Sequence, residues 1–278
     1  MRTPADASPF RRKLGERLWT YPFALAFAAA LAGRLIDVRG VLVLMFFAVG
    51  CRAANRAGAP RLAIVSHVLM LIGAAGLFLH VWPGFDNPRV LHDVLLAPDS
   101  RPYTKYVNFD KGVAALFLLG IYAPDRPATD EGLRHAGAFA WRFVLLVATV
   151  IVLSLALGFV RWDPKLPDWW PVWLWSMVFF TALPEETLFR GVVQTAIERL
   201  LARSPYATAA AILGGGLLFG VAHAGGGVSY VILATVAGIG YGWIYASTRS
   251  IGAAIAAHAG LNLVHLVLFS YPALALHN

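Results

Sequence analysis

Between Ser204 and Thr248 the chain runs for 45 residues without one Asp, Glu, Lys or Arg. Leu62–Phe85 (24 residues), Phe143–Val160 (18) and Ser250–Asn278 (29) are free of charge in the same way. A helix needs about 20 mainly apolar residues to span a bilayer. A soluble domain has roughly 25% charged residues to spread over its surface; this chain has 14%, against 59% hydrophobic. Disorder calls for low hydrophobicity and is excluded on the same grounds. The expected fold class is all-α: a polytopic transmembrane helical bundle of about eight to nine helices.

Nine apolar segments can be read. They run roughly over Leu18–Gly33, Val41–Cys51, Leu62–Trp82, Val113–Ala123, Gly137–Val160, Trp169–Glu198, Ala207–His223, Val228–Ser247 and Ile251–Phe269. The second and fourth are short for a full crossing. The net charge of +8 does not point to nucleic acid, because 19 of the 23 basic residues are arginines scattered along the chain. Basic residues beside spans set orientation instead. With the N-terminus inside and all segments crossing, 15 basic residues fall on the cytoplasmic side and 8 outside. The expectation is an integral protein of a bacterial inner membrane with a cytoplasmic N-terminus. The lone Cys51 can form no intramolecular disulfide and reads as a small packed residue. Pro83–Lys111 reads as an outer polar loop within an N-terminal membrane region, residues 1–136. Trp162, Trp169 and Trp170 read as interface anchors.

After Trp169 only three carboxylates remain, Glu185, Glu186 and Glu198, and two of them are adjacent inside an apolar helix. An ionisable group within a span is costly and marks a functional site by default. Glu186 and Arg190 are four apart, so they share a helix face with the acid N-terminal to the base. Glu185 points about 100° away. Arg190 can therefore neutralise Glu186 while Glu185 projects into the bundle. His223 ends the seventh segment, and His258 and Asn262 share one face of the ninth. Small residues around both histidines allow close helix approach. His265 lies near the face of His258. His67 and His80 read as packed or interface residues, and His92, His135 and His277 as loop or terminal ones.

This set holds carboxylates, imidazoles and a carboxamide, with no serine or cysteine nucleophile beside a base. It suits water activation by a carboxylate and an imidazole, and oxyanion stabilisation by His and Asn side chains. The implied reaction is hydrolysis of an acyl bond, a peptide bond above all.

Glu185-Glu186-x-x-x-Arg190, Phe219-x-x-x-His223 and His258-x-x-x-Asn262 resemble, in order, the three motifs of the CPBP intramembrane endopeptidases. These are the CAAX-processing and bacteriocin-processing enzymes, also called the Abi family. The resemblance covers about Gly137–Phe269, and Tyr103–Lys111 is similar to a stretch preceding the motifs in some bacterial members. It implies a protease core over residues 137–278 with the active site among the last four helices. It also implies Glu185 as general base, His223 as partner in holding the water, His258 and Asn262 as the oxyanion pair, and Glu186 and Arg190 as supporting residues. The substrate would be a peptide or membrane protein in the lipid bilayer. No cofactor is expected under a glutamic mechanism, which is favoured. The chain lacks His-Glu-x-x-His, yet Glu185, His223 and His258 could supply three zinc ligands. Two other readings fit a polar set in a membrane: a proton-coupled transporter, and an inactive scaffold or immunity-type protein of the same fold.

Overall fold

A computed structural model describes residues 31–56, 60–122 and 132–275. The basic N-terminus, most of Leu18–Gly33 and His277 lie outside the described residues, as does the side chain of His135. Two compact units divide at Asn87 and Pro88.

The first unit holds α1 (Val38–Arg56) and α2 (Pro60–Phe78), packed as a pair. Beyond α2 the chain turns back, and Trp82 Nε1 donates to Gly73 O at 3.1 Å. Cys51 is fully buried, as its apolar setting predicted.

The second unit begins with an antiparallel hairpin, β1 (Arg89–Val94) and β2 (Tyr103–Tyr106). The sequence reads this stretch as a loop because its strands are short and lack a strict apolar alternation. Six helices follow among the described residues: α3 (109–122), α4 (Gly132–Ala156), α5 (170–200), α6 (Ala207–Ala222), α7 (Val228–Thr248) and α8 (Ile251–Leu268). The all-α class holds, with the hairpin as its one sheet among the described residues.

By length and composition, Ala136–Ala156, Val228–Thr248 and Ile251–Leu268 can each cross a membrane; Ile64–Phe78 and Ala207–Ala222 are shorter apolar helices. Leu213, Leu217 and Val221 form an exposed i, i+4 ridge on α6. Such an apolar ridge is a liability in water and ordinary against lipid.

A two-residue turn joins α7 to α8. Arg249 adopts a left-handed conformation (φ 53°), and its N–H caps Tyr245 O at 2.7 Å. Ser250 then caps α8 by accepting from Ala253 N. Helix α5 is one continuous run with wide π-helical turns at Val178–Ala182 and Thr187–Gln194. They flank Leu183–Glu186, where Pro184 has no N–H to give to the preceding turn.

The α6–α7 contact depends on absent side chains. A Cβ on Gly220 would stand 1.8 Å from Thr235 Oγ1 and 2.9 Å from Val231 O. Turning Thr235 away relieves the first clash but not the backbone one. Gly220→Ala is therefore expected to destabilise the detergent-solubilised protein by about 1–3 kcal/mol of overpacking, read as a lower melting temperature. An unchanged melt would show that the helices separate freely.

Candidate active site

Helix α5 sends its two adjacent glutamates in different directions, as the helical offset demands. Glu186 is fully buried. Its Oε2 pairs with Arg190 Nε at 3.0 Å, and its Oε1 accepts from His258 Nδ1 at 2.8 Å. Arg190 is buried as well. It donates through Nη2 to Gly238 O at 2.6 Å, and its guanidinium lies 5.0 Å from the Phe219 ring. Glu186 thus ties α5 to α8, while Arg190 ties α5 to α7.

Glu185 opens onto a cavity of about 320 Å³ whose wall also includes His223, His258, Asn262 and Phe219. Its Oε2 is buried without a hydrogen-bond partner. His223 Nε2 lies 3.8 Å from this oxygen and His258 Nε2 lies 4.0 Å from it. Both separations exceed direct hydrogen bonding.

The other ring nitrogens decide what these imidazoles present. His223 Nδ1 lies 2.7 Å from Phe219 O, and a carbonyl only accepts, so Nδ1 carries the hydrogen. His258 Nδ1 likewise donates to the Glu186 carboxylate. In their neutral forms both rings therefore turn a bare Nε2 toward Glu185.

Aromatic rings hold this orientation. Phe219 lies 4.5 Å from the His223 ring and 5.8 Å from the His258 ring. Tyr241 stacks on His258 at 4.8 Å, and Tyr230 meets His223 edge-on at 5.4 Å. Asn262 spends one amide hydrogen on His258 O at 3.1 Å, one turn back along α8. His265 also lines the cavity, yet its Nε2 bonds Ser270 O at 3.1 Å and its ring packs on Tyr271. It fastens the C-terminal segment to the cavity wall.

Sequence reasoning missed the contribution of the hairpin. Tyr103 and Lys105 of β2 line the same cavity. Tyr103 accepts from Trp173 Nε1 at 2.9 Å. Lys105 is 7% exposed and donates to Thr181 Oγ1 at 2.6 Å. Burial lowers its ammonium to about 8, although the Glu185 charge pulls it back up. The one sequence signal was the aromatic and basic run Tyr103–Lys111. The aromatic wedge of Phe219, Tyr230 and Tyr241 was equally hidden, because such rings also suit a lipid-facing surface.

Among the described residues, no group of three His, Cys, Asp or Glu side chains is gathered closely enough to hold a metal ion. His223 and His258 place their Nε2 atoms 3.8 Å and 4.0 Å from Glu185 Oε2, and hydrogen bonds on the two Nδ1 atoms hold the rings there.

Apolar spans around a buried carboxylate and two imidazoles define an integral membrane protein with a polar chamber between its helices. Residues 167–264 match the family model described as type II CAAX prenyl endopeptidase Rce1-like. The matched stretch, about a third of the chain, is similar to the CAAX protease, or CPBP, family of intramembrane proteases. No curated protein and no solved structure matches the chain.

Proposed function

We propose that the cavity hydrolyses peptide bonds of membrane-embedded substrates by a glutamic mechanism. The observation that carries this reading is the buried, unpartnered Glu185 Oε2 facing two imidazole Nε2 atoms. One water bonded to Glu185 and His223 spans such a separation. Glu185 takes a proton as the water oxygen attacks the scissile carbonyl carbon, and His223 orients the water through its bare Nε2. The carbonyl oxygen becomes an oxyanion, which accepts from the remaining Asn262 amide hydrogen. It also accepts from His258 Nε2 when that ring is protonated. Glu186 holds the imidazolium in place, as a carboxylate does behind a catalytic histidine. Collapse of the intermediate breaks the C–N bond, and the proton on Glu185 passes to the leaving amine.

The test is cleavage of apolar peptides by purified protein in detergent, with metal content measured on the same sample. Wild type is expected to cleave, and chelation to leave the rate unchanged. Asn262→Ala is expected to lower kcat by about 10²-fold with little change in KM. Stoichiometric zinc, with activity lost on chelation and restored by zinc, would replace this mechanism with a zinc site on Glu185, His223 and His258.

A further inference from the structure

Lys105 enters the cavity wall from outside residues 167–264, and the hydrolytic roles above leave it unexplained. Its bond to Thr181 Oγ1 uses one of three ammonium hydrogens, and among the described residues no carboxylate forms an ion pair with it. A buried cation without a contacting counter-ion is costly to keep. We propose that Lys105 is a specificity-determining residue that binds a carboxylate of the peptide substrate near the scissile bond. The proposal rests on the hydrolase reading of the cavity.

Position sets the register. Thr181 precedes Glu185 by four residues on α5, which is about 6 Å along a helix axis. An extended peptide advances about 3.3–3.6 Å per residue. A carboxylate on Lys105 therefore belongs about two residues from the attacked carbonyl. It can be the free C-terminus of the substrate or the side chain of an Asp or Glu at that point. If Lys105 served only as a distant counter-charge for Glu185, its loss would affect every substrate alike.

The experiment uses the full-length protein in detergent and acetylated apolar octapeptides of one sequence. They end as the free acid, as the carboxamide, or as the carboxamide with Asp in the last position. Wild type is expected to show a kcat/KM about tenfold or more higher for at least one carboxylate peptide than for the neutral one. Preference for the free acid alone identifies a terminal carboxylate; preference for the Asp peptide as well identifies any carboxylate at that distance. Lys105→Met should erase the preference, lowering kcat/KM more for the carboxylate peptides than for the neutral one, chiefly through KM, and leave the melting temperature near wild type. Lys105→Arg should restore part of it, and serves in its place if the Met variant does not fold. Binding of the three peptides to Glu185→Gln protein repeats the comparison without turnover.

Equal kcat/KM for all three peptides would overturn the proposal while leaving the hydrolase reading intact. So would a Lys105→Met defect that is the same for each. A carboxylate preference in binding, with no cleavage by wild type, would instead overturn the hydrolase reading and uphold the Lys105 site.

Discussion

Glu185→Gln is expected to lower peptide hydrolysis by about two to four orders of magnitude without unfolding the protein. That is the range for removing a positioned general base. Gln keeps the size of the side chain but cannot accept the proton of the attacking water. The fold should tolerate it, because Glu185 Oε2 makes no hydrogen bond that the amide would break. The measurement is the rate per folded molecule beside a thermal melt of the same sample. Near wild-type hydrolysis by this variant would remove Glu185 from the chemistry.

The neighbouring substitution should fail in another way. Glu186→Gln leaves Arg190 buried without its counter-ion, and breaking a buried pair costs about 3–5 kcal/mol. For a chain of this size that is a fall in melting temperature on the order of 10 °C. The folded fraction should also turn over slowly, because His258 loses the carboxylate that holds its Nδ1 hydrogen. Combining Glu186→Gln with Arg190→Met should recover part of the stability, since the stranded charge is gone, and none of the activity. Equal loss of stability in Glu185→Gln and Glu186→Gln would refute the division between the two glutamates.

That division was legible in the sequence because it is local. Adjacent residues on a helix point about 100° apart, and residues four apart meet. The Glu186–Arg190 pair follows from the last five residues of its motif. The spans were legible too, since the cost of charge in hydrocarbon acts on each stretch separately. The expected ends of the sixth to ninth segments lie within about two residues of the observed helices 170–200, Ala207–Ala222, Val228–Thr248 and Ile251–Leu268, a close agreement for boundaries drawn from pattern alone.

Other features were settled only by how the helices cross. Glu186 reaches His258 over 72 residues of sequence, and Lys105 reaches Thr181 over 76. Neither pairing leaves a periodic trace in its own segment. The first needs α5 and α8 to lie side by side, and the second needs the hairpin to fold onto α5. Phe219 shows the same limit: its spacing from His223 was visible, but its place between two imidazoles and a guanidinium was not. The sequence by itself determined which segments leave water and which polar residues must find partners inside the bundle, because desolvation and helical periodicity act locally. The tertiary structure alone decided which partner each residue found, because side-chain contacts between distant segments depend on close packing such as that at Gly220 and Thr235, not on the pattern within any one segment.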